Sequence, residues 1–228
     1  MATAKTNSIL IAVNADHTVS GLLRRTADSR ACFVLAHGAG AGMQHAFMAA
    51  FSDALCELGI ATLRYQFPYM VRGSRRPDSP KLATATVRAA AIEARRQCPE
   101  LPLFAGGKSF GGRMTSLAQA EQPLEHVCGL IFVGFPLHPA GKPSTQRATH
   151  LESVDLPMLF LQGTRDKLAG LDLLQPTVDA LGDGATLSIV DGADHSFHVL
   201  KRSGRTDDEV LRELATTASR WMIDPAHQ

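Results

Sequence analysis

The stretch Leu101-Pro102-Leu103-Phe104-Ala105-Gly106-Gly107-Lys108-Ser109-Phe110-Gly111-Gly112-Arg113-Met114 sets a serine midway between two glycines, each two residues away. An apolar strand pattern runs into it and a helical pattern runs out. Gly107-Lys108-Ser109-Phe110-Gly111 therefore reads as a nucleophile elbow, G-x-S-x-G. A serine at the tip of so sharp a turn sits in a strained backbone conformation, and its neighbours two residues either side must lack bulk for strand and helix to approach. The chemistry is acyl transfer: the hydroxyl attacks a carbonyl and needs a base, an acid to orient the base, and donors for the developing oxyanion. A plain glycine-rich turn with a capping serine is the competing reading of the string alone. The GGKS run also resembles the end of a phosphate-binding loop. That loop needs a further glycine where Pro102 stands inside the strand, so it would be too short.

The elbow resembles that of the α/β-hydrolases, and that resemblance implies an acid and then a histidine following in chain order at the carboxyl ends of later strands. Leu159-Phe160-Leu161-Gln162-Gly163-Thr164-Arg165-Asp166 is a buried strand running into a glycine turn, which makes Asp166 the candidate acid. Asp155 precedes the same strand and belongs to its other end. Among nine histidines, His195 lies just beyond the strand-like Thr186 to Val190 and before the last helical pattern. It is the candidate general base, with His198 the nearest competitor and Asp194 a loop-shaping carboxylate. The amide of Phe110 supplies one oxyanion donor. The run Val34 to Gly42 offers the second through Ala39, with Gly38 beside it and His37 packing or hydrogen-bonding locally. Gln66, Tyr69 and Met70, at the end of an early strand, are candidate pocket lining. Arg72, Arg75 and Arg76 are possible contacts for an anionic substrate, although a charged loop is more often simply solvated, and Lys108 is a similar candidate.

These residues need a scaffold that brings strand ends together. Short apolar runs alternate with helical patterns along the whole chain, the signature of an α/β fold with a mostly parallel sheet. Strands are predicted at 8–13, 19–23, 32–36, 60–65, 101–105, 127–133, 158–162 and 186–190, the first two forming a hairpin. Helices are predicted at 46–58, 82–97, 110–122, 171–181 and 207–222, with a long loop over 68–80. The expected architecture is a sheet of about eight strands flanked by helices in one domain over residues 1–228.

A length of 228 residues, 45% apolar and 20% charged, fits a folded protein with a sizeable core. A formal net charge of +1 supplies no long-range field for nucleic acid or anionic lipid, so neither is an expected partner. Cys32, Cys56, Cys98 and Cys128 lack the paired spacing of a zinc or redox site, and Cys32 and Cys128 read as core thiols. The amino-terminal apolar run is too short for a secretory or membrane segment, which leaves a cytoplasmic location as the expectation.

HGAGAGM at 37–43, LRYQFPYM at 63–70, RRPD at 75–78, GGKSFGGRM at 106–114, GTRD at 163–166 and GADHSF at 192–197 together resemble the α/β-hydrolase superfamily. They are most similar to its small dienelactone-hydrolase-like branch, which also includes testis-expressed and chromatin-complex relatives. The resemblance spans nearly the whole chain and implies an α/β-hydrolase fold with little or no lid, Ser109, Asp166 and His195 as the triad, and no metal or organic cofactor. Dienelactone hydrolases proper use a cysteine nucleophile where this elbow carries serine. The connection from Phe135 to Leu156 is too short for a helical cap, so the mouth is expected to be open. The implied activity is hydrolysis of a small ester or related acyl substrate through an acyl-enzyme. Acyl transfer to another acceptor, or a non-catalytic scaffold on the same fold, are the alternatives.

Overall fold

Six residues in a row, Ala31–Ala36, are buried. Phe33 and Leu35 face one apolar layer, while Cys32, Val34 and Ala36 face the other. A strand with two apolar faces belongs inside a sheet covered on both sides. The computed structural model describes residues 3–224 and 226 and contains that sheet. Its strands are β1 (Lys5–Asn14), β2 (His17–Arg25), β3 (Ala31–Ala36), β4 (Ile60–Tyr65), β5 (Leu103–Lys108), β6 (Val127–Val133), β7 (Met158–Gly163) and β8 (Ala185–Val190). They lie in the order β1-β2-β4-β3-β5-β6-β7-β8. β2 is antiparallel to β1 and to β4, and all other neighbours are parallel.

Parallel neighbours require crossovers, and helices supply them. In chain order these are α1 (Ala46–Glu57), α2 (Pro68–Val71), α3 (Pro80–Gln97), α4 (Phe110–Glu121), α5 (Leu171–Asp179) and α6 (Asp207–Ile223). α1 and α6 cover one face, setting Met48, Phe51, Leu55, Leu214 and Ala218 against Phe33, Phe104, Ile131 and Leu159. α3, α4 and α5 cover the other with Val87, Ala90, Met114, Ala118, Leu174 and Val178. The small residues of α3 let it lie close to the sheet, and Ser79 caps it by accepting from the Leu82 amide ahead of Pro80 at its first position. α6 begins with a reciprocal capping box between Thr206 and Glu209, and three acidic residues in its first turn suit the positive end of the helix. Truncating a fully buried side chain such as Leu214 costs about 2–5 kcal/mol.

The expected fold class is the one observed, with differences at the edges of elements. β1 and β2 form a longer hairpin than the apolar pattern marked, since its outer ends are polar and are held by strand pairing and by the side chains of Arg24 and Arg25. β5 starts and ends later than 101–105, because Gly106 and Gly107 continue the ladder between β3 and β6. The loop over 68–80 contains α2. The connection from Phe135 to Leu156 holds a short 3₁₀ segment, Gln146–Ser153, which packs on α4 through a 2.7 Å hydrogen bond between His150 Nε2 and Ser116 Oγ. Cys32 is fully buried, whereas Cys128 is only partly buried at the start of β6 and is not a core thiol. No helix among the described residues is long and apolar enough to cross a membrane.

Candidate active site

The turn after β5 is made by Ser109, whose backbone sits at φ 49° and ψ −113°. This is a left-handed conformation that costs a non-glycine residue about 1–3 kcal/mol. Its flanks explain why the strain persists. A Cβ on Gly107 would stand 2.2 Å from the carbonyl oxygen of Ala36, and one on Gly111 would stand 2.6 Å from the Ala36 side chain. The elbow thus presses directly on β3, and the serine amide is tied to the Val133 carbonyl at 3.2 Å. The hydroxyl is left above the carboxyl ends of the strands.

Two further loops reach the same edge. β7 ends at Gly163, where a Cβ would lie 2.3 Å from the Ala193 carbonyl oxygen, so the acid turn touches the loop after β8. Hydrogen bonds fasten the contact: Arg165 N–H to Ala193 O at 2.9 Å, Thr164 N–H to Val190 O at 3.1 Å, and Gly192 N–H to Thr164 Oγ1 at 2.8 Å. The result is a relay. His195 Nδ1 is 2.7 Å from Asp166 Oδ2, and His195 Nε2 is 2.8 Å from Ser109 Oγ. A carboxylate only accepts, so Nδ1 carries the proton and donates, and Nε2 is left to accept from the serine hydroxyl.

The Asp166 side chain is 1% exposed and its oxygens are occupied. Oδ1 accepts from the Leu168 amide at 2.8 Å, and Oδ2 accepts from Gln162 Nε2 as well as from His195. Gln162 in turn accepts from the Phe135 amide at 3.0 Å, binding the acid turn to the end of β6. A buried carboxylate with this many donors is held in one orientation. Asp194 shapes the histidine loop by accepting from the amides of Ser196 and His198. His198 pairs with Asp207 at 2.9 Å, and that partner raises its pKa.

A cavity of about 350 Å³ opens over Ser109, walled by Gly38, Ala39, Ala41, His45, Phe47, Met48, Lys108, Leu168, His195 and Ser196. Ala41 N–H turns to Gly38 O and Gly40 N–H to the Tyr69 hydroxyl, so the loop is pinned on either side of Ala39. Phe110 turns its ring back onto Phe67 and Tyr69. Its amide opens α4, one of the first amides that a helix does not bond itself. His37 is buried, accepts from the Phe67 amide through Nε2 and donates to Gly38 O through Nδ1, and burial holds its pKa down at about 4.

Of the sequence-predicted residues, the structure brings Ser109, Asp166, His195, Gly38, Ala39 and the start of α4 at Phe110 to one edge. It does not bring Gln66, Tyr69 or Met70 to the cavity wall. Gln66 accepts from the Met43 amide at 2.8 Å, Tyr69 is buried beneath Gly40, and Met70 packs under Gly42. The chain leaves β4 into α2, which tucks behind the glycine loop, so these three support that loop and are not lining. Arg72 pairs with Asp78 at 2.7 Å, and neither it nor Arg75 or Arg76 lines the cavity. Sequence reasoning missed the apolar wall of Phe47, Met48 and Leu168. It also passed over Gln162, whose signal was a lone amide side chain inside a buried apolar strand. The described residues contain no cluster of three or more His, Cys, Asp or Glu side chains able to hold a metal.

Comparison with known proteins agrees with this architecture. A dienelactone hydrolase from Anabaena variabilis superposes with a TM-score of 0.77 at 20% identity, over 96% of each chain. XC6422 from Xanthomonas campestris, described as an α/β serine hydrolase without a lid, superposes with a TM-score of 0.72 at 22% identity, over 96% of each chain. The esterase domain of a Rhodothermus marinus protein superposes with a TM-score of 0.69 at 15% identity, over 95% of this chain and 97% of that one. At these identities the likeness is one of fold. The model of the alpha/beta hydrolase domain family matches residues 29–223, and the chain belongs to that family.

Proposed function

We propose that this protein is a serine hydrolase that cleaves a small ester or related acyl substrate through an acyl-enzyme on Ser109. The observation that carries the proposal is the unbroken relay from Asp166 to His195 to Ser109, with contacts of 2.7 and 2.8 Å, at the floor of an open cavity. Ser109 Oγ attacks the carbonyl carbon as His195 Nε2 takes its proton. Asp166 keeps the imidazole in the productive tautomer and stabilises the imidazolium. The carbonyl oxygen, now an oxyanion, meets the amides of Ala39 and Phe110. Collapse expels the alcohol, which takes the proton from His195, and water then repeats the sequence to release the acid. Each step uses groups of this chain and water, with no cofactor. The wall of Phe47, Met48 and Leu168 suits an apolar group of modest size, and Gly38 lets the substrate approach the loop closely.

A fluorophosphonate probe tests this directly, because it reacts with a serine activated by a neighbouring base. The expected result is labelling of the wild type, no labelling of Ser109→Ala, and turnover of short p-nitrophenyl esters by the wild type alone. A folded wild type that neither takes the probe nor exceeds the Ser109→Ala variant on such esters would overturn the proposal in favour of a scaffold role.

A further inference from the structure

We propose that Lys108 is a positioning residue for the histidine, a half-buried strut that holds the His195 loop against the end of the sheet. The inference rests on the proposed serine hydrolase reading and assigns a further residue to it. Lys108 precedes the nucleophile, so on a strand its side chain points to the face opposite that of Gly107, toward the layer formed with α1 and α6. The stem passes under the glycine loop, with Cγ 3.5 Å from where a Cβ of Gly38 would be. Beyond it the ammonium donates a hydrogen bond to the backbone carbonyl of His195 and lies 5.2 Å above the centre of the Phe197 ring. Nζ and the imidazole also share a neighbour: a Cβ on Gly134 would stand 3.0 Å from Nζ and 3.5 Å from both Cε1 and Nδ1 of His195.

A surface lysine would need none of this. Burial drives the Lys108 ammonium down to about 8, and only Asp166 and Asp194 draw it back up. Methionine or leucine would fill the same space without a charge to desolvate. The ammonium does what neither can, since it grips the main chain of the residue whose side chain must sit within about 3 Å of the nucleophile. Phe197 forms the other half of the grip. It stands in a left-handed conformation at φ 64° and stacks on Phe47 with 6.0 Å between centroids, so the ring under the ammonium is itself fixed.

The test compares Lys108→Met and Phe197→Leu with the wild type in ester kinetics, in fluorophosphonate labelling rate, and in the downfield proton resonance of the His195 Nδ1–H bonded to Asp166. Lys108→Met is expected to lower kcat at least about tenfold while KM stays within about twofold, to slow labelling in parallel, and to broaden or shift the Nδ1–H resonance. Phe197→Leu keeps the hydrogen bond but removes the ring, and a smaller loss in the same direction is expected. If Lys108→Met does not fold, the Phe197→Leu variant and its resonance decide. Unchanged kcat and resonance in a folded variant would overturn the strut while leaving the triad in place. A wild type without labelling or turnover would instead remove the hydrolase reading, and the resonance would still report whether Lys108 orders the histidine.

Discussion

Replacing Lys108 by methionine is expected to change how folding stability depends on pH as well as to slow turnover. Burial lowers the ammonium from 10.5 to about 8 in the folded chain, and unfolding restores the ordinary value. Between those two values the unfolded chain binds more protons than the folded one, so the wild type gains stability as pH rises through that window. Below about 8 the full desolvation cost is present, and it fades as pH rises toward 10.5. From about pH 7 to pH 10 the change amounts to about 2–3 kcal/mol. Methionine does not titrate, so the stability of Lys108→Met minus that of the wild type should shrink by about this amount over the same interval. Losses independent of pH, such as the missing bond to the His195 carbonyl, cancel in the comparison. Urea unfolding of both proteins, followed by circular dichroism across the pH range, measures it. Two stability curves that run parallel within about 0.5 kcal/mol, or a variant-minus-wild-type difference that rises with pH, would refute the reasoning, because the ammonium would then not be desolvated.

Asp166→Asn keeps the shape of the acid but lets it donate to Nδ1, leaving the wrong tautomer at the serine; ester assays should show kcat lower by about 10³–10⁴-fold with KM little changed. Leu168→Trp narrows the apolar wall beside Ser109, and a series of p-nitrophenyl esters should lose its longest acyl members first while acetate turnover persists. Gly163→Ala would set a Cβ 2.3 Å from the Ala193 carbonyl and force the acid and histidine loops apart. Its kcat should fall about 10²-fold, with labelling at Ser109 slowed but not abolished.

The residues of the relay were legible because each carries a local signal. Ser109 stands where a strand pattern meets a helix pattern between obligatory glycines, and the structure explains those glycines by contact with Ala36. Asp166 follows the fully buried β7 and His195 the half-exposed edge strand β8, each by a few residues, and a parallel sheet puts such positions on one edge. The cavity wall had no such signal. His45, Phe47 and Met48 come from the start of α1 and Leu168 from beyond the acid turn, and only tertiary packing places them together. Gln66, Tyr69 and Met70 looked like lining because they follow a strand at the correct edge. The chain, however, turns back under the glycine loop there, a path fixed by the Tyr69 amide bonding to Asp78 and its hydroxyl bonding to Gly40. β5 was misplaced for a related reason: glycines are poor strand formers, and Gly106 and Gly107 hold their place only because neighbouring strands press on both sides.

Features that oppose stability gather at the carboxyl edge of the central strands. Ser109 and Phe197, two of the three non-glycine residues with positive φ among the described residues, lie there, the third being His126 ahead of β6; Asp166 is a carboxylate almost without solvent, and Lys108 is a partly buried ammonium. The four at this edge are tolerated because neighbouring backbone fixes them: Val133 O holds the serine amide, Asp194 O holds the Phe197 amide, the Leu168 amide holds the carboxylate, and His195 O holds the ammonium. Backbone partners cannot be exchanged by mutation, so they fix geometry more firmly than side-chain partners would. They in turn are held by two apolar layers, one on each face of the sheet. The fold therefore concentrates strain where the proposed proton transfer needs rigidity and draws the offsetting stability from packing far from the serine. It follows that substitutions which relieve this edge should stabilise the protein and slow it, whereas substitutions in the apolar layers should weaken both properties together.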